Sequence, residues 1–208
     1  MSYLATERSS KSRTFLLLHR IPYELCKDVS DLVENLGIPT IVCGVGQCYE
    51  VLDKNVLGIN LLEDDTYVVK KLKEIDGYLP GNVVERGEMC FAGLDPLNWL
   101  QNVSRIEKLL EEMDLRCRTF VLVSQYPPRG SRCSEVSLFG RKLFMGVEID
   151  DLLQRASKRF ENVVVVSINE LVPTCIDRYR DCIVVNIRRE GATLVEVRSD
   201  GVELRDLA

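Results

Sequence analysis

Asn162-Val163-Val164-Val165-Val166-Ser167 is the stretch on which the fold turns. Four consecutive β-branched apolar residues without polar alternation describe a strand covered on both faces. Extended patterns follow it over residues 181–187, 193–199 and 202–205, with turns at Glu190-Gly191 and Asp200-Gly201. Upstream the order is different. Short apolar stretches at residues 14–18, 39–43, 55–59, 82–85, 88–92 and 119–124 read as strands. Between them lie helical spacings at residues 23–36 (stopped by Gly37), 66–75 (preceded by Asp64-Asp65) and 95–112, and a fourth helix is read at 149–160. Alternation that gives way to clustered strands predicts an α/β fold of two sheets packed face to face with helices outside, rather than one doubly wound sheet.

The bulk properties set the bounds. The chain has 208 residues, 46% hydrophobic and 28% charged, enough for one sizeable core. Residues 1–13 are polar and read as a flexible tail, and residues 14–208 as a single domain. No apolar run approaches the roughly 18–20 residues of a membrane span, and no signal-peptide pattern opens the chain, so a cytoplasmic protein is expected. A net charge of -5 argues against a nucleic-acid surface working by bulk charge. Asn102-Val103-Ser104 fits a glycosylation sequon, which has no meaning without secretion.

Eight cysteines are present, none spaced as CxxC. Cys43, Cys90 and Cys182 sit in or beside apolar runs, and the main expectation is scattered buried thiols. The sharper alternative is one or two disulfides, with Cys175 and Cys182 the first pair to test, because they flank a turn-like segment. His19 is the only histidine, so a histidine-based metal site cannot be assembled.

The loops after the strands carry a resemblance. Leu122-Val123-Ser124-Gln125-Tyr126-Pro127-Pro128-Arg129-Gly130 resembles the strand, His and aromatic-Pro-Pro stretch of the calcineurin-like metallophosphoesterase superfamily. Residues 85–94 are similar to its strand pair ending in a glycine-rich turn. The run Val163-Val164-Val165-Val166-Ser167-Ile168-Asn169-Glu170 stands where the family has Gly-His-x-His, and Ile183-Val184-Val185-Asn186 resembles its next strand. The match in order spans roughly residues 14–199 and implies a four-layer αββα sandwich with two-metal hydrolytic chemistry. Carried over position by position, the ligands are missing. The opening Asp and His correspond to His19 and Ile21, and the bridging Asp to Val45. The Asn falls at or beside Asn60, and the remaining His positions fall at Gln125, Ser167 and Asn169.

Loop geometry kept and donors removed implies a non-catalytic binding or scaffold module without a cofactor. The family has precedent, since its retromer subunit works through protein contacts. The alternative is a divergent phosphoesterase using a divalent metal such as manganese, with Asp64, Asp65 or Asp95 as replacement ligands. A nucleophile pair, Cys43 or Ser124 with His19 as base, is a further enzymatic reading. A small-molecule sensor would instead show a pocket lined by Gln125 and Asn169. The surviving polar side chains at the strand ends are expected to satisfy one another. The long loop after Gly130, with Arg129, Arg132, Phe139, Arg141, Phe144 and Met145, is either a lid over the strand ends or a patch for an unknown protein partner or self-association. Phosphate contact through its arginines is a third reading. Arg178, Arg180, Arg188 and Arg189 read as a solvated face.

Overall fold

The computed structural model describes residues 13–207. The tail read at residues 1–13 lies outside them except for Arg13, which pairs with Glu88 and Glu161. The strands are β1 (Thr14–His19), β2 (Thr40–Cys43), β3 (Leu57–Ile59), β4 (Val83–Arg86), β5 (Met89–Gly93), β6 (Thr119–Ser124), β7 (Glu135–Leu138), β8 (Arg141–Phe144), β9 (Asn162–Ser167), β10 (Cys175–Tyr179), β11 (Cys182–Asn186), β12 (Gly191–Val197) and β13 (Val202–Asp206). The helices are α1 (Cys26–Leu36), α2 (Thr66–Glu74), α3 (Trp99–Glu112) and α4 (Asp150–Arg159).

Two large sheets form. One has five strands in the order β13-β12-β1-β2-β3, the other six in the order β10-β11-β9-β6-β5-β4. Strands β1, β2 and β3 are parallel, as are β5, β6, β9 and β11, while β4, β10, β12 and β13 run antiparallel to their neighbours.

Period-two alternation divides the side chains between layers. Phe15, Leu17, Ile41 and Ile59 from the first sheet meet Phe91, Val121, Val123, Val164, Val166 and Val185 from the second. On its other face the second sheet buries Phe120, Leu122, Val163, Val165 and Val184 against Ile106 and Leu110 of α3 and Leu152, Leu153 and Ala156 of α4. On its own outer face the first sheet buries Leu16, Leu18 and Val42 against Val29 of α1 and Val68 and Leu72 of α2. The strand at residues 162–167 lacks polar alternation because one half of its valines faces the opposing sheet and the other half faces helices.

Local signals explain the element ends. Gly37 closes α1 in the left-handed conformation, at φ 59°. The Asp65 carboxylate accepts from the Tyr67 and Val68 amides and so caps α2. Asp95 accepts from the Leu97 and Asn98 amides, which delays α3 to Trp99.

Three expectations require correction. The loop after Gly130 is not irregular, because β7 and β8 pair as an antiparallel hairpin. The turn-like segment between Cys175 and Cys182 contains an edge strand, β10. The cysteines are mostly paired, as Cys26–Cys48, Cys90–Cys117 and Cys133–Cys175, leaving Cys43 and Cys182 free and buried. Cys175 and Cys182 cannot bond because the β10–β11 register sets Cys175 opposite Asn186 and Cys182 opposite Tyr179, at opposite ends of the ladder. Cys90 is a bridge partner rather than a free core thiol.

Candidate functional site

The candidate site lies at the carboxyl ends of the parallel strands. In the first sheet the register places His19 beside Cys43 and Cys43 beside Ile59. In the second it places Ser124 beside Ser167 and Ser167 beside Asn186. Two contacts join the rows across the sandwich. Gln125 Oε1 accepts from the Leu62 amide at 3.1 Å. The Tyr78 hydroxyl donates to Asn60 Oδ1 at 2.9 Å and approaches Asp95 Oδ2 at 3.4 Å.

The side chains singled out in the sequence divide among different layers. His19 continues the inward face of Phe15 and Leu17 and is almost wholly buried. Its Nδ1 donates to the Arg189 carbonyl at 2.9 Å, and its Nε2, buried, has no hydrogen-bond partner. Desolvation by burial lowers its pKa to about 4, and the Arg20 guanidinium adds to the shift. At neutral pH the imidazole is therefore uncharged, with its lone pair on Nε2.

Ile21 and Val45 join the outer apolar layer under α1 and α2, with Leu16, Leu18 and Val29, and do not converge with the other candidates. The space beside them is closed by backbone. A Cβ at Gly46 would meet the Ile21 backbone at 2.8 Å, and one at Gly44 would meet Leu61 Cδ1 at 2.7 Å. The two glycines, both at positive φ, let the loop after β2 lie directly on the loops after β1 and β3.

Ser167 and Asn169 form a separate knot centred on Asn186. Asn186 Oδ1 accepts from Ser167 Oγ at 3.0 Å and from the Asn169 amide at 3.1 Å. Its Nδ2 donates to the carbonyls of Asn169, Val172 and Pro173. Asn169 Oδ1 accepts from Leu171, while its buried Nδ2 has no partner. The polar side chains thus do not satisfy one another across one cavity. They are held separately, by backbone groups, by Tyr78 or by Asn186.

The aspartates proposed as replacement ligands are also engaged. Asp64 Oδ2 accepts from the Leu61 amide at 2.6 Å, and its carboxylate also accepts from Val45, which staples the loops after β2 and β3 together. Desolvation raises its pKa to about 6, with Glu63 and Asp65 adding to the shift. Asp65 caps α2, and Asp95 holds the turn that precedes α3. Among the described residues no group of three or more His, Cys, Asp and Glu side chains is placed to hold a metal ion. The donor set therefore does not fit a dinuclear centre.

The nucleophile reading fares no better. Cys43 is the register neighbour of His19, but burial, with a smaller push from Asp64, drives its thiol far above the ordinary range, and the thiolate is the reactive form. Ser124 Oγ donates to the Tyr126 carbonyl at 2.6 Å. The cleft next to the strand ends, about 550 Å³, is lined by Ile21, Pro22, Tyr49, Glu24, Asp65 and Glu190 among others, and neither Gln125 nor Asn169 lines it.

The loop candidates form one structure. Its base is anchored: Cys133 bonds Cys175, and the Arg132 amide donates to Asp177 at 2.8 Å. Arg129 pairs with Glu148 at 2.8 Å. The tip is free of the core, with Phe139 fully exposed, Leu143 and Phe144 about half exposed and all of β8 on the surface. Core packing therefore accounts for the base of the loop but not for its aromatic tip. Met145 returns to the base, where its amide donates to the Ser134 carbonyl. Asp64 and Asn186 are the structural keys that sequence reading missed. Asp64 was read as a helix-leading acid and a replacement ligand, and Asn186 only as the end of a strand.

No helix among the described residues is long and apolar enough to cross a membrane. No family model matches the chain. No curated protein matches it either. Among solved structures the chain is similar to Vps29 of Chaetomium thermophilum, at 10% identity and a TM-score of 0.31, covering 94% of this chain and 97% of that one. That likeness is too slight to bear on function, which rests on this chain's own side chains.

Proposed function

We propose that this chain is a non-catalytic protein of metallophosphoesterase-like fold that serves as a binding or scaffold module. The observation that carries the reading is the donor set at the strand ends. Ile21 and Val45 are buried in an apolar layer, Asp64, Asp65 and Asp95 are committed to backbone amides, and His19 stands without companion ligands. A two-metal site needs a bridging carboxylate and several imidazoles, and apolar side chains at such places supply neither. The exposed aromatic and basic hairpin at β7–β8 supports the binding role. Large apolar side chains held in water by an anchored element are a feature of contact surfaces.

The test is hydrolysis of a generic phosphodiester by the purified chain with added manganese. The expected result is no turnover above the protein-free rate. Turnover that disappears in Gln125→Ala and Asn60→Ala would sink the reading and favour a divergent phosphoesterase.

A further inference from the structure

We infer that the β7–β8 hairpin of one copy docks head to tail into the acid-rimmed cleft at the strand ends of a second copy. This rests on the scaffold reading above and names the partner it leaves open.

The hairpin is built as a plug. Leu138 pairs with Arg141, so Phe139-Gly140 is a two-residue turn, with φ 52° and 74°. Such turns favour Asn-Gly or Gly-Gly, because a side chain beyond Cβ is strained at positive φ. Phe139 occupies that place with its ring fully in solvent. Both its conformation and its exposure are unfavourable in the free chain, and a contact that buries the ring offsets them. Leu143 and Phe144 extend the apolar surface, and Arg141 and Lys142 flank it. Arg141 has no ion pair among the described residues, and Lys142 meets Glu135 at 2.6 Å.

The cleft has the complementary character. Pro22 and Tyr49 supply its apolar lining, Ile21 being wholly buried beneath, and Glu24, Asp65 and Glu190 stand around it. Arg20, its one cation, is already neutralised by Glu63 and Glu170. An aromatic tip beside Arg141, unpaired among the described residues, thus matches a cleft rimmed by carboxylates, with Pro22 and Tyr49 against which the ring would lie. The hairpin does not fill the cleft of its own chain, since Phe139 touches nothing there and its base is tied to the edge strand β10. The contact joins two different surfaces, so it is heterologous, and in a pair one copy keeps a free plug and the other a free cleft.

That geometry gives a mixing test in sedimentation velocity, on the full chain with its disulfides intact. Phe139→Asn removes the plug while keeping a residue suited to positive φ. Glu24→Lys with Glu190→Lys reverses the cleft at two exposed positions outside the strand-end hydrogen bonds. Thermal melts check that both variants fold. The wild type is expected to self-associate with concentration, and less so in high salt. Each variant alone should associate at least tenfold more weakly. Mixed, the two should form a terminated one-to-one dimer, because one brings an intact cleft and the other an intact plug.

A folded wild type that stays monomeric at all concentrations would overturn the inference. So would self-association that both variants retain. A monomer that binds phosphatidylserine vesicles and loses them in Phe139→Asn would also overturn it, by assigning the hairpin to a lipid surface. None of these outcomes touches the scaffold reading, which fails separately if phosphodiester turnover appears.

Discussion

The chain's single histidine makes one claim about the strand ends measurable in isolation. His19 is buried with Nδ1 on the Arg189 carbonyl, and its pKa is lowered to about 4 from the ordinary 6.5, chiefly by desolvation. The neutral ring is the form the fold accepts. As pH falls through 6.5 the unfolded chain takes up a proton that the native chain refuses. Stability is therefore lost between pH 6.5 and about 4, and the loss levels off below. At about 1.4 kcal/mol for each pH unit of difference, the full effect is about 3 kcal/mol. Asp64 works in the opposite sense. Its pKa is raised from 3.8 to about 6, so the native chain binds a proton first and gains stability as pH falls through that window. Because Asp64 is only partly buried, its gain is discounted against that of His19. The clean assay is the proton NMR titration of the one imidazole, paired with chemical denaturation of the wild type and His19→Gln between pH 7 and 4.5. The midpoint should fall near 4, and the acid loss of stability should vanish or reverse in His19→Gln. A midpoint near 6.5 would mean a solvated ring and would refute the reasoning.

Three further outcomes follow from the geometry. Asn186→Asp keeps the shape but turns the donors facing the Asn169, Val172 and Pro173 carbonyls into acceptors. The cost should be about 3 kcal/mol or more, read as a drop in melting temperature of about 6–12 °C. The disulfides close separations of 22, 27 and 42 residues, each worth about 3–4 kcal/mol on the chain-entropy estimate. Excess dithiol should therefore remove most of a total stability of about 5–15 kcal/mol, and a melting point lowered by less than about 5 °C would contradict this. Phe139→Asn relieves the left-handed strain at the hairpin tip and should raise unfolding stability by about 1 kcal/mol, measured in denaturant.

The layers of the fold were legible because burial on both faces leaves a plain mark. The valines of residues 162–167 and the alternation of strands with amphipathic helices suffice for two facing sheets with helices outside. The β7–β8 hairpin was not legible because its turn, Phe139-Gly140, lacks the Asn or Asp that usually announces one. Strand β10 was missed because Cys175-Ile176-Asp177-Arg178-Tyr179 follows a proline and carries two charges, acceptable only at a sheet edge. The bridges join cysteines brought together by tertiary packing, which spacing does not encode. At the strand ends the chemical types were readable but their directions were not. His19 and Ile21 are two residues apart, yet one faces the opposing sheet and the other the helix layer. Asp64 and Asn186 act through backbone groups close in space, and composition gives no sign of that.

The most direct test of the central claim uses the same imidazole resonance with manganese. The paramagnetic ion broadens any proton a few ångströms away, so a metal held at the strand ends would erase the His19 signal. With one equivalent of manganese at neutral pH, the signal should keep its width and the protein should show no stoichiometric binding. Loss of the signal at one or two equivalents, with matching metal retained after dialysis, would contradict the account and restore a metal centre to the site.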